Sequence, residues 1–219
     1  MLPCPLVFEM RMRDLLHITQ PGYQGERFWN AGCLSTWVRH PVCSGCGRPG
    51  ADVIQPYAIE WSRDRWNGKE QVVGDFIWAG AGSLTVTERV KVACQQHGIT
   101  GLVFHPVEAH SPKPPRKTAK PIQVDAPPIW LAKPTVTAHL DLARSGRRMV
   151  TECGVCRFRT WDVAPNARVV VVVPPDNALP DVFVVDGFCI CFCTERFREM
   201  ALNEQFTNVE IKLRGIVED

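Results

Sequence analysis

Sliding the chain along itself by 107 residues places Phe76 on Phe183, Gly80 on Gly187, Thr87-Glu88-Arg89 on Thr194-Glu195-Arg196 and Thr100 on Thr207, without a gap. This self-similarity constrains the fold more than composition does, because the apolar pattern repeats with the identities. Val86, Val90, Ala93 and Cys94 match Cys193, Phe197, Met200 and Ala201 at i, i+4, i+7 and i+8, the spacing of an amphipathic helix. A β-rich run precedes each helix, Asp75 to Trp78 and Val182 to Val185. An alternating apolar run follows each, Leu102 and Phe104 in one case and Val209, Ile211 and Leu213 in the other. Each copy therefore reads strand, helix, strand.

The details of each unit also follow from its residues. Thr85 and Glu88 have the spacing of a capping box, and Gly98 stands where a helix should end. The second copy has no Thr matching Thr85, so Thr194 is expected to cap it. Further strands are expected over Leu6 to Met12, Val53 to Ile59 and Arg168 to Val173. From His110 to Pro134 prolines at 112, 114, 115, 121, 127, 128 and 134 alternate with Lys113, Arg116, Lys117, Lys120 and Lys133. Proline lacks the amide donor, so this stretch reads as an extended connector with solvated basic residues, unable to form helix or central strand. The expected organisation is a first repeat over 1–109, a linker over 110–134 and a second repeat over 135–219, folded as one compact pseudo-symmetric unit. The fold class is α+β with mostly antiparallel strands.

Two Cys-x-x-Cys pairs, Cys43-Ser-Gly-Cys46-Gly47 and Cys153-Gly-Val-Cys156-Arg157, stand upstream of the two units. Zinc takes four thiolates in a tetrahedron, and each pair supplies two from one tight turn, so Cys43, Cys46, Cys153 and Cys156 make one structural Cys4 set. Small residues such as Ser44, Gly45, Gly47 and Gly154 suit such turns. A second arrangement gives each half its own metal, with Cys33 or His40 completing the first site, and a third leaves the knuckles without metal. Thiol redox catalysis is the competing use of the motif, but it places its thiolate at a helix start, and neither pair is followed by helical sequence. Cys94, Cys189, Cys191 and Cys193 fall on apolar patterns and read as packing residues.

The other function classes are narrowed by what the chain lacks. A formal net charge of +2 gives no footprint of a polyanion-coating protein. There is no phosphate-binding glycine loop, no His-Glu-x-x-His, no nucleophile elbow and no dinucleotide fingerprint, so neither enzymatic activity nor a small-molecule substrate is expected. His139 beside Asp141 reads as an exposed pair, and Glu88-Arg89 and Glu195-Arg196 as capping residues with surface ion pairs. The first residues carry charges too early for a secretory leader, and no apolar run approaches the roughly 18 residues that span a bilayer. The expected location is the cytoplasm.

With the duplicated Cys-x-x-Cys and the Thr-Glu-Arg-Phe segment in view, the chain resembles the bacterial double-CXXCG-motif family of immunity proteins of Sit-type toxin systems. Asp181-Val-Phe-Val-Val-Asp-Gly-Phe188 through Thr194-Glu-Arg-Phe197 resembles that family's carboxy-terminal signature. Asp75 to Phe104 resembles its middle segment, and Cys43-Ser-Gly-Cys46-Gly47 fits its first motif. Arg157 departs from the glycine of the second motif. The resemblance implies a cytosolic protein that binds and neutralises a cognate toxin, with no catalytic residues. The alternative is a zinc-binding nucleic-acid or transcription accessory protein, which the near-neutral charge disfavours. For a protein partner, Tyr57, Trp61, Arg63 and Trp66 combine the residue types enriched in interface hot spots and lie outside the self-similar region.

Overall fold

The computed structural model describes residues 12–21, 28, 30–33, 37–40, 43–47, 50–53, 57–62, 72–79, 84–112, 123–155, 159–165, 167–173, 178–186, 188 and 190–218. Among these, sixteen strands and two helices occur, which makes the chain mostly β within an α+β class. The strands are β1 (Met12–Thr19), β2 (Asn30–Cys33), β3 (Trp37–His40), β4 (Gly50–Val53), β5 (Tyr57–Ser62), β6 (Phe76–Ile77), β7 (Leu84–Thr87) and β8 (Leu102–His110). They continue as β9 (Ile129–Pro134), β10 (Thr137–Ala138), β11 (Arg147–Glu152), β12 (Arg159–Val163), β13 (Val169–Val172), β14 (Val182–Val185), β15 (Cys191–Cys193) and β16 (Glu210–Glu218). Helix α1 covers Glu88–Gln96 and α2 covers Glu195–Asn203.

Two six-stranded sheets hold most of these strands, in the orders β10-β14-β15-β1-β16-β13 and β2-β5-β8-β9-β7-β6. Both are mixed, since β10–β14, β13–β16 and β5–β8 run parallel while their other pairings are antiparallel. Read in opposite directions, β14-β15-β1-β16-β13 and β6-β7-β9-β8-β5 are laid out alike. The first described strand, β1, thus lies between β15 and β16, close to the carboxy-terminal strand, and the strand expected over Leu6 to Met12 lies outside the described residues but for Met12. Strand β9 holds the corresponding place between β7 and β8. That placement corrects the reading of 110–134 as a connector throughout. The prolines flank β9 or end it at Pro134, leaving the proline-free Ile-Trp-Leu-Ala-Lys to pair on both sides.

One core is common to the two halves. Phe76, Val86, Val90, Ala93 and Cys94 pack with Val182, Cys193, Phe197, Met200 and Ala201. The helical stripe therefore meets the spacing-based expectation at Val90, Ala93 and Cys94 and at Phe197, Met200 and Ala201, all buried. Its first position does not, because Val86 lies within strand β7 and Cys193 ends β15 before the helices begin. The capping box also fails: Thr85 is a buried strand residue, and Thr87 is the residue at the α1 N-cap, as Thr194 is for α2. Gly98 adopts φ +60° just past α1, where only a residue without Cβ is unstrained. Leu213, expected inward, is 63% exposed. Two smaller cores lie apart from the helices, one around Leu15, Val171, Phe183 and Phe192 and one around Tyr57, Ile59, Trp61 and Ile77.

The two halves are tied by matched hydrogen bonds that the sequence reading missed. Asp75 accepts from the Thr207 amide (2.8 Å) and hydroxyl (2.8 Å), from the Thr87 hydroxyl (3.4 Å) and from Arg89 Nη1 (2.9 Å). Asp181 accepts from the Thr100 amide (2.9 Å) and hydroxyl (3.0 Å), the Thr194 hydroxyl (3.0 Å) and Arg196 Nη1 (3.0 Å). Arg89 then reaches the Glu204 carbonyl and Arg196 the His97 carbonyl, each at the end of the opposite helix. Glu-Arg at the helix start is therefore more than a surface ion pair. The gapless offset slips here by one residue: the Phe76 amide donates to the Thr207 carbonyl as the Val182 amide donates to the Thr100 carbonyl. Phe76 corresponds to Val182 rather than to Phe183.

Candidate metal centre

The Cys43–Cys46 turn joins β3 to β4, and Cys153 begins the turn between β11 and β12, so each pair caps a two-stranded hairpin outside the main sheets. The first turn is closed by the Gly47 amide donating to the Cys43 carbonyl at 2.8 Å, with Gly47 at φ +71°. Only glycine takes that backbone conformation without strain. Among the described residues no helix begins at either turn, so Cys43, Cys46 and Cys153 lack the helix N-terminus that activates a redox pair.

The turns converge although they are far apart in sequence. The sulfurs of Cys43, Cys46 and Cys153 lie within 4.8 Å of one another, and Cys43 Sγ is 3.6 Å from Cys153 Sγ. A disulfide needs about 2.0 Å, so the spacing is not that of a bond. Tetrahedral zinc with metal–sulfur distances of about 2.3 Å places its sulfurs about 3.8 Å apart, close to the separation found. The first turn is shaped to admit the second: a Cβ on Gly45 would lie 2.9 Å from Cys153 Sγ and 3.0 Å from a Val155 methyl. Any side chain there would push the two knuckles apart. Gly45 was named at sequence level only as a small turn residue, and its contact across the halves had no sequence signal.

The donor set fits a soft divalent cation of the zinc class. Cys43 and Cys153 are half-buried and Cys46 is exposed, which leaves the centre at the surface where hairpin tips meet. Cys156, the fourth residue of the expected set, lies outside the described residues. Of the alternative ligands, Cys33 packs beside Ala31, Tyr57 and Ile59 and is not among the converging sulfurs. His40 ends β3, and its side chain is outside the described residues. Three other cysteines are set apart by chemistry as well as place, while Cys189 lies outside the described residues: burial pushes the Cys94 thiol up to about 12 and Cys191 up to about 11, and it raises Cys193 too. Thiols that resist ionisation are poor ligands and poor nucleophiles, in keeping with packing roles.

Two of the four residues expected to bind a partner are buried: Tyr57 and Trp61 are 3% and 2% exposed, because β5 alternates strictly and sends Tyr57, Ile59 and Trp61 into the same core. Arg63 and Trp66 lie outside the described residues. The His139–Asp141 pair is also rearranged: His139 Nδ1 lies 3.2 Å from Asp186, while Asp141 accepts from the Arg144 amide at 3.0 Å. No protein-family model and no curated protein matches the chain. Among the described residues, no helix is long and apolar enough to cross a membrane.

Proposed function

We propose that the chain is an immunity protein that binds and neutralises a cognate bacterial toxin in the cytoplasm of the producing cell. The motif resemblance supplies the function, and the approach of Cys43 to Cys153 supports the scaffold it requires. In this reading the chain is two diverged strand–helix–strand units, each with its own knuckle, and zinc at Cys43, Cys46, Cys153 and Cys156 clamps the knuckles together. The bound metal acts as a structural cross-link: it draws together hairpin tips that little else holds and contributes its binding free energy to folding. An inhibitor benefits from that rigidity, because a preorganised surface loses less entropy on capturing its target. Neutralisation by occlusion needs no catalytic group on this chain.

The test is to co-express the full chain with the toxin encoded beside it, and to repeat the experiment with Cys43→Ser/Cys153→Ser. The wild type is expected to protect cells and to co-purify with the toxin, carrying about one zinc per chain. The double variant is expected to protect poorly because its scaffold is loosened. Failure of the wild type to bind or protect against any linked toxin defeats the immunity reading, and a metal-free wild type with normal protection defeats the zinc clamp alone.

A further inference from the structure

On β1, Leu16 and Ile18 face the core shared with the helices, while Leu15 faces the core on the other side of the sheet. His17 shares the Leu15 face and stands opposite Phe192 on β15 and Lys212 on β16. Beside it β16 carries an extra residue: Leu15 pairs with Gly215 and Leu16 with Leu213, so Arg214 is the residue of a β-bulge. Bulges re-aim a side chain and recur next to functional sites. A stack leads from this point to a second arginine. Phe188 packs edge-on against Phe192 with centroids 5.4 Å apart, and the Arg147 guanidinium lies 4.8 Å from the Phe188 centroid.

The cluster is basic and its donors are not used up. Among the described residues, no carboxylate forms an ion pair with His17, Arg147 or Arg214, and Glu210 is taken by Lys212 at 2.9 Å. His17 Nδ1 and Arg147 Nε are buried without a hydrogen-bond partner among the described residues. Burial first and then the neighbouring Arg214 charge hold both His17 and Arg147 below their ordinary pKa values, with Lys212 adding to the shift at His17 and Glu210 and a hydrogen bond to the Lys212 backbone opposing it. The corresponding places in the other sheet are less basic. Leu131, opposite Thr85 and His105, stands where His17 does, and Leu131 and Val107 pack against the core around Tyr57 and Ile59. His105 stands there where Lys212 does here.

We propose that His17, Arg147 and Arg214 form a binding site for a small oxyanion of the phosphate class, whose negative charge complements three side chains that form no ion pair among the described residues. Two guanidinium groups and an imidazole offer several N–H donors, which match a tetrahedral polyanion better than a single carboxylate. Phe188 and Phe192 fix the height of Arg147 beside the site.

Inorganic phosphate is the probe, titrated calorimetrically into the full-length protein against chloride at equal ionic strength. The wild type is expected to bind one phosphate saturably, and His17 followed by NMR is expected to titrate at higher pH when phosphate is present. Arg147→Gln should weaken binding on the order of tenfold. His17→Leu/Arg214→Val, which installs the kinds of residue found in the other sheet, should remove it while leaving the fold intact. No saturable binding by the wild type, or unchanged affinity in the Arg147→Gln protein, overturns the proposal.

Discussion

Gly101 and Asn208 show how single residues carry the junction between the halves. Both have positive φ, +89° and +59°, in the turn that follows a helix. At Gly101 a Cβ would sit 2.2 Å from the Val182 carbonyl, so the close approach itself demands glycine. Asn208 instead turns its side chain to use: Nδ2 donates to the Phe76 carbonyl at 2.7 Å, and its own carbonyl accepts from Trp78 Nε1 at 2.8 Å. At the same scale His17 makes a pH prediction. Its pKa is lowered from 6.5 in the fold, by burial first and then by Arg214, with Lys212 acting the same way and Glu210 and the Lys212 backbone opposing. The unfolded chain therefore takes up the proton at higher pH than the native one, and stability falls as pH drops through 6.5 towards the lower native value. In phosphate-free buffer, His17→Leu is expected to show a smaller loss of urea midpoint between pH 7 and pH 5 than the wild type. An equal loss would mean that His17 does not set this slope.

At the scale of elements, the Asp–Thr–Arg latch joins the start of each helix to the turn after the opposite helix. Asp75 is 8% exposed and receives donors from both halves, so removing its carboxylate strands the Thr207 amide and the Arg89 guanidinium together. Asp75→Ala is expected to cost about 2–4 kcal/mol in urea unfolding, and Asp181→Ala a similar amount. A loss below about 1 kcal/mol for both would show that the shared core alone holds the halves together. The helices were legible in the sequence because their period needs only local residues, and Val90 and Phe197 fall on it directly. The latch was not, although Thr100 and Thr207 were matched. Its aspartates are 106 residues apart rather than 107, and a rigid offset hides them. Strand β9 was concealed by prolines at its margins, and the place of β1 by pairing with strands nearly 200 residues away. Neither leaves a local mark.

For the whole molecule, the cysteine pairs were legible as motifs, but only the fold brings Cys43 to Cys153 across 110 residues. The shared core and the two latches tie the sheets to each other, whereas the knuckles sit on separate ribbons: among the described residues β3 pairs with β4 and β11 with β12, and neither ribbon adds to a larger sheet. A metal held by both ribbons would close a long loop, which is where a cross-link restricts the unfolded chain most. This gives a non-additive signature. If Cys43 and Cys153 serve one ion, either substitution releases it, and the second has little left to remove. Cys43→Ser and Cys153→Ser should each lower the thermal midpoint by several degrees, and the double variant should be no less stable than the weaker single. Chelator should destabilise the wild type towards that same midpoint and leave the variants where they are. Fully additive losses, or a chelator effect that persists in the double variant, would mean that the two knuckles do not share a metal.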